Sequence, residues 1–209
     1  MICILGGTFD PVHFGHLRPA LDVQQALGTA CVHLLPCREP PHRAAPLATA
    51  EQRLELLQLA VANEPALGID ERELCREGPS YMVDTLESLR TEKGNEPVCL
   101  VLGMDALLGL DRWHRWRDIP ALCHLVVMQR PGSPWPQQGE LADWVNTARV
   151  TDVSVLNSQA AGCVIGVPVT QMAVSSTQIR DLLAAGQSPR YLLPDAVLNR
   201  IREEKWYAN

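Results

Sequence analysis

Met1-Ile-Cys-Ile-Leu5 runs directly into Gly6-Gly-Thr-Phe-Asp-Pro-Val-His-Phe-Gly-His16, and this stretch decides how the rest of the chain is read. A short apolar run of this kind reads as a buried strand. It breaks into two glycines, where the backbone can turn sharply and lie close to another molecule. Beyond them, Leu17, Ala20, Leu21 and Val23 to Leu27 supply the apolar positions of a helix over 15–27. A strand, a glycine turn and a helix start present free N–H groups and the positive end of a helix dipole to an anion, the geometry that binds phosphate. His13 and His16 sit three residues apart, the spacing of neighbours on one helix face, so both rings can address one ligand. Gly15 between them keeps the approach open.

The remaining pattern alternates strands with helices. Strands are predicted over 1–5, 30–36, 67–74, 98–103, 125–128 and 163–170. Helices are predicted over 15–27, from a Thr49…Gln52 capping box to about Asn63, from Ser80 to near Gly94, weakly over 140–148, and from about Ser176 and about Asp195. A loop carrying Pro36, Pro40, Pro41 and Pro46 and another over 131–139 interrupt the series. Such alternation implies an α/β fold: a single Rossmann-like domain over 1–209, its parallel sheet covered by helices on both faces, with a small C-terminal helical extension. Ligands of such sheets sit at the carboxyl ends of the strands, near the reversal of strand order. Gly6, Gly103 and the loop before Ser175 each follow a strand and can converge there.

Composition bounds the function. At 209 residues the chain is long enough for one α/β domain with a sizeable core. Its 46% hydrophobic and 20% charged content is that of a soluble globular protein. No apolar run approaches the ~20 residues of a membrane helix, and no basic stretch precedes an apolar one as in a signal peptide, so the cytoplasm is the expected compartment. Seven cysteines, scattered and never spaced C-x-x-C, read as buried small hydrophobes rather than disulfides or a zinc site. A net charge of −6 argues against broad nucleic-acid binding but is compatible with a local positive cluster for one nucleotide. Only Lys93 and Lys205 are lysines, so arginine richness by itself does not indicate phosphate binding.

A second constellation lies near the C-terminus, Val174-Ser-Ser-Thr-Gln-Ile-Arg180. Ser175 and Gln178 have capping-box spacing. Hydroxyls and N–H groups at that helix start, with an arginine one turn in, make a second anion site. In Leu102-Gly-Met-Asp105, Asp105 either meets ribose hydroxyls or caps a helix. No serine or cysteine is evidently paired with a base as a nucleophile.

The Gly-Gly-Thr-Phe-Asp-Pro-x-His-x-Gly-His segment resembles the signature of the nucleotidyltransferase superfamily, whose members transfer a nucleoside monophosphate and release pyrophosphate. The 174–180 segment is similar to the second signature of that superfamily, Ile-Ser-Ser-Thr-x-Ile-Arg, with Val174 as a mild change. Lacking a lysine in that loop, the chain is set apart from the class I aminoacyl-tRNA synthetases. It also lacks the G-x-G-x-x-G of an oxidoreductase start. The resemblance implies His13, His16 and Arg180 as catalytic residues. It implies ATP contacts from Gly6, Gly7, Thr8, Phe9, His16, Gly103, Asp105, Ser175, Ser176, Thr177 and Arg180, with Mg²⁺ on the ATP phosphates.

Three further segments resemble the bacterial nicotinate-mononucleotide adenylyltransferases. Pro40-Pro-His-Arg43 is similar to their Pro-Pro-His-Lys/Arg element. Ser80-Tyr-Met-Val-Asp-Thr85 is similar to their Ser-Tyr-Thr-x-Asp-Thr segment, with Met82 in place of threonine. Trp113 falls where they place an aromatic that stacks on pyridine, with Trp116 as the other candidate, and Arg130-Pro-Gly132 resembles their Arg-Arg-Pro-Gly turn. The implied acceptor contacts are His42, Arg43, Ser80, Tyr81, Met82, Trp113 and Arg130. The implied reaction makes deamido-NAD from ATP and nicotinate mononucleotide. No nucleic-acid or membrane partner is expected, and a homodimer is compatible with the chain. Rival readings are a phosphopantetheine adenylyltransferase, an enzyme preferring nicotinamide mononucleotide, and a non-catalytic nucleotide sensor.

Overall fold

In the computed structural model, which describes residues 1–40, 45–129, 132 and 134–207, the apolar runs become the strands of one parallel sheet. The strands are β1 (Ile2–Gly7), β2 (Val32–Pro36), β3 (Leu67–Ile69), β4 (Val98–Gly103), β5 (His124–Gln129), β6 (Arg149–Val150) and β7 (Val164–Pro168). They lie in the order β3-β2-β1-β4-β5-β7-β6, and every pairing is parallel. The order reverses between β1 and β4, so the crevice expected in such a sheet opens beyond Gly7 and Gly103.

The helices are α1 (Phe14–Leu27), α2 (Ala50–Val61), α3 (Met82–Lys93), α4 (Met104–Leu108), α5 (Ile119–Leu122), α6 (Glu140–Ala148), α7 (Ser176–Ala184) and α8 (Asp195–Glu203). Both sheet faces are buried, so central strands divide their side chains between two cores. From β1, Cys3 and Leu5 join one core with α1, α2, α7 and α8, while Ile4 joins the other with α3 to α6. That division explains why β1, β4 and β5 read as continuous apolar runs rather than alternating ones.

The predicted elements recur with shifted ends, and three differences have physical causes. The strand expected over 67–74 stops at Ile69, because Asp70 accepts the backbone N–H of Arg72 at 3.0 Å and bends the chain into a turn. The helix expected from Ser80 starts at Met82, with Tyr81 as its cap residue. The Ser80 hydroxyl faces backward instead, accepting from the N–H groups of Arg38 at 3.0 Å and Glu39 at 3.4 Å. Asp105 is not a helix cap: α4 is entered from Gly103, and Asp105 lies exposed in its first turn. The capping box at Thr49 and Gln52 forms as expected. The short α4, α5 and β6 carry too few residues to show a period in sequence.

One long-range device ties α2 to the sheet. Arg53 points inward with 1% of its surface exposed. Its guanidinium donates to the carbonyls of Thr8 at 2.9 Å, Cys37 at 2.7 Å and Arg38 at 3.2 Å, clamping the segments that leave β1 and β2. No acidic side chain among the described residues pairs with it within 4.0 Å. Arg53→Met is expected to lower stability by about 3 kcal/mol or more, because each deprived carbonyl costs ~1–3 kcal/mol. A denaturant midpoint equal to that of the parent chain would show that the three carbonyls find other donors.

Candidate functional site

The turn from β1 to α1 is buried from Phe9 to His13. Phe9 takes φ 51°, a left-handed backbone that lets its ring fold back over Gly7. A Cβ on Gly7 would stand 2.7 Å from that ring, so the glycine is required by close approach. His13 is the cap residue of α1, and its carbonyl accepts from His16 N at 2.9 Å and Leu17 N at 3.2 Å. The His13 and His16 rings stack with centroids 3.8 Å apart, and Phe9 meets His16 edge-on at 5.0 Å. The two histidines therefore do share one face. Gly15 has no room for a side chain, since a Cβ there would stand 2.9 Å from the His13 ring and 3.2 Å from the Val174 carbonyl.

Burial of His13, 4% exposed, lowers its pKa to about 4, so the ring is neutral near pH 7. A neutral ring in this position offers an N–H donor rather than a full positive charge. Its Nδ1 is buried with no hydrogen-bond partner.

The C-terminal motif closes on the same turn. Ser175 caps α7 through its hydroxyl, which accepts from Gln178 N at 3.1 Å. The Ser176 hydroxyl donates to the Pro11 carbonyl at 3.0 Å. Arg180 donates through Nη1 to the Asp10 carbonyl at 2.6 Å and through Nη2 to Thr177 Oγ1 at 3.3 Å. Nη1 also stands 3.6 Å from the Asp10 carboxylate. Sequence signals separated by more than 160 residues are thus one cluster, with Gly6, Gly7, Thr8 and Phe9 on one side and Ser175 to Arg180 on the other.

On the other side of β1, the Met82 thioether methyl lies over Gly6, 3.0 Å from where a Cβ would be. The start of α3 is thereby joined to the β1 turn, and no side chain caps it. The Tyr81 ring packs on His114, centroids 4.3 Å apart. Trp116 is 7% exposed and belongs to the core, whereas Trp113 is half-buried at its edge. Of the two tryptophans, Trp113 alone leaves a face toward solvent. The Ser80 hydroxyl is already committed to the 38–39 backbone. His42, Arg43 and Arg130 lie outside the described residues.

Sequence reading missed four contributors. Arg53 shares a helical face with Leu56 and Leu57, and a lone arginine in an apolar stripe was its signal. Asp10 lay inside the quoted motif but had no assigned part. Tyr207, which donates to Asp10 Oδ1 at 2.8 Å, gave no signal. Glu73 is buried beneath the start of α3, where Thr85 Oγ1 donates to it at 2.7 Å while accepting from Arg76 at 3.2 Å.

Burial pushes the Glu73 carboxyl up to about 7 against the favourable pull of Thr85 and Arg76. A folded-state pKa above the unfolded value means that the native form binds the extra proton. Stability is then lost as pH rises from about 4.5 to about 7 and levels off above that. Urea melts are expected to show the parent chain losing stability relative to Glu73→Gln between about pH 5 and 7.5. Parallel pH profiles would mean that Glu73 stays charged throughout.

Comparison with known proteins supplies the family. The cytidylyltransferase-like family profile matches residues 4–182. A Methylococcus capsulatus protein named "Probable nicotinate-nucleotide adenylyltransferase" is 49% identical over 209 residues, covering 100% of both chains. A Halorhodospira halophila protein of the same name is 48% identical over 206 residues, covering 99% of this chain and 94% of its own. Among solved structures, the Plasmodium falciparum nicotinic acid mononucleotide adenylyltransferase complexed with NaAD superposes with a TM-score of 0.72. It covers 99% of this chain and 96% of its own at 14% identity, a likeness of fold.

Proposed function

The chain belongs to the cytidylyltransferase-like family and to the nicotinate-nucleotide adenylyltransferases, and we propose on that premise that it transfers AMP from ATP to nicotinate mononucleotide, giving deamido-NAD and pyrophosphate. One observation carries the reading: the stacked His13 and His16 rings and Arg180 meet on a single buried turn at the point of strand-order reversal.

The chemistry needs no protein nucleophile. A nucleotide 5′-phosphate has a second pKa of ~6 and is a dianion near neutral pH. Its oxygen attacks the α-phosphorus of ATP in line, a new P–O bond forms, and the bond to pyrophosphate breaks. Catalysis is then positioning and charge stabilisation. His13, neutral in the free chain, and His16 donate hydrogen bonds to the transferring phosphate. Arg180 and the N–H groups of Ser176 and Thr177 neutralise the leaving pyrophosphate. Mg²⁺ accompanying ATP would prefer the hard phosphate oxygens as ligands and would offset part of their charge. Among the described residues no three acidic, histidine or cysteine side chains are grouped to cage a metal, so the protein's contribution is cations and N–H donors. Asp105, exposed in the first turn of α4 just beyond β4, suits a ribose hydroxyl.

On the acceptor side, the uncapped start of α3 offers N–H groups to the nicotinate carboxylate, and Trp113 offers a face to the pyridine ring. No helix among the described residues is long and apolar enough to cross a membrane, and the seven cysteines are free thiols.

Pyrophosphate release from Mg-ATP with nicotinate mononucleotide, nicotinamide mononucleotide and phosphopantetheine offered in parallel tests the reading. Far higher kcat/KM with the nicotinate compound supports it. Preference for another acceptor would reassign the α3 side alone, and folded protein that binds ATP without turnover would make it a sensor.

His16→Ala is expected to lower kcat by about 10²–10³-fold in a protein that still melts cooperatively, as loss of a transition-state donor does. The two tryptophans should separate cleanly. Trp113→Ala raises KM for nicotinate mononucleotide about fivefold with kcat nearly unchanged, the mark of ground-state stacking. Trp116→Ala instead costs about 3–5 kcal/mol of stability, because it opens a cavity in the core.

A further inference from the structure

The Asp10 carboxylate is 5% exposed and gathers three donors from two remote segments. Oδ2 accepts from Leu47 N at 2.9 Å, and Oδ1 accepts from Ala48 N at 3.1 Å and from the Tyr207 hydroxyl at 2.8 Å. The cation that pairs with it is Arg180, at 3.6 Å, and under the reading above that cation must serve the leaving pyrophosphate. A buried carboxylate that loses its cation pays a large desolvation cost unless neutral donors satisfy it. The donors that remain when Arg180 turns away are two backbone N–H groups and Tyr207.

Tyr207 is held in an unusual way for this task. Its backbone φ is 61°, a left-handed conformation that a bulky residue adopts only where its surroundings enforce it. The chain reaches it from α8 through a backbone bond from Trp206 N to the Ile201 carbonyl at 3.0 Å. Burial and the neighbouring carboxylate push its phenol upward, so the hydroxyl keeps its proton and stays a donor.

We propose that Tyr207 is a positioning residue for ATP: its hydroxyl satisfies Asp10, so that Arg180, whose Nη1 stays on the Asp10 carbonyl, can turn the rest of its guanidinium from the carboxylate to the leaving pyrophosphate. Without that hydroxyl, Asp10 Oδ1 keeps a single donor, the carboxylate draws Arg180 toward itself, and the guanidinium is withheld from substrate. The effect falls on the ATP side of the site, since Arg180 belongs to α7 and the acceptor contacts lie across β1.

The inference rests on the proposed reaction, so turnover of the parent chain with Mg-ATP and nicotinate mononucleotide is measured first. Absence of turnover there overturns the reaction and not the geometry. With an active parent, Tyr207→Phe removes one oxygen and keeps the ring. Its kcat/KM for ATP is expected to fall about fivefold to tenfold, the net worth of one ordinary hydrogen bond, with KM for nicotinate mononucleotide within about twofold of the parent. In an Asp10→Asn background the same substitution is expected to change the ATP constants no further, since its effect runs through that carboxylate. A lower melting temperature with unchanged kinetic constants would reduce Tyr207 to a structural anchor and overturn the proposal. Equal losses for both substrates would overturn it too.

Discussion

Backbone carbonyls buried in the turn after β1 have to be paired, and the rest of the structure is arranged to pair them. A buried peptide group without a partner costs about as much as a lost hydrogen bond. The Gly7 carbonyl accepts from Cys37 N at 3.0 Å, and that of Thr8 from Arg53. The Asp10 carbonyl accepts from Arg180 and that of Pro11 from the Ser176 hydroxyl. The His13 carbonyl starts α1. The loop after β2, helix α2 and helix α7 are each docked by the need of one short segment for donors. The glycines and the left-handed Phe9 make the turn geometrically possible, and these remote donors make it affordable.

The same arrangement explains how an acidic chain can present a site for polyanions. The charges that matter are few: Arg53 is buried and Arg180 is half-buried. Arg53 spends its guanidinium on carbonyls and has a structural office, while Arg180 is held more lightly, between a carbonyl and a threonine hydroxyl, with the Asp10 carboxylate 3.6 Å away. His13 is neutral for want of solvent. An anion arriving at the start of α1 meets oriented dipoles and N–H groups first, which cost no reorganisation in the transition state.

The start of α3, across β1 from this cluster, is fixed by a second set of ties. Ser80 holds the backbone after β2, Met82 covers Gly6, and Glu73 with Thr85 and Arg76 underpins the start of α3. The segment from Ser80 to Thr85 therefore links the β2 loop to the β1 turn. The sequence places this helix start within two residues of the observed one, and the Ser80 hydroxyl bonds outside the helix. Hydroxyls cap helices by bonding backbone two or three residues ahead, and here a partner far back in the chain competed for the oxygen and won.

What the sequence determined by itself was local. The apolar run of 2–5, the glycine pair, the histidine spacing and the Thr49 capping box each depend on residues within a turn or two of one another, and each is found where it was expected. The alternation of strands and helices carried the parallel sheet with it, because parallel strands require crossovers. Only the tertiary structure decided which donors satisfy the buried turn, which tryptophan is core and which stands at its edge, and that Tyr207 reaches Asp10 from the far end of the chain. Hydrogen-bond partners and burial of that kind are set by packing between segments remote in sequence, and neither periodicity nor capping chemistry extends beyond its own element.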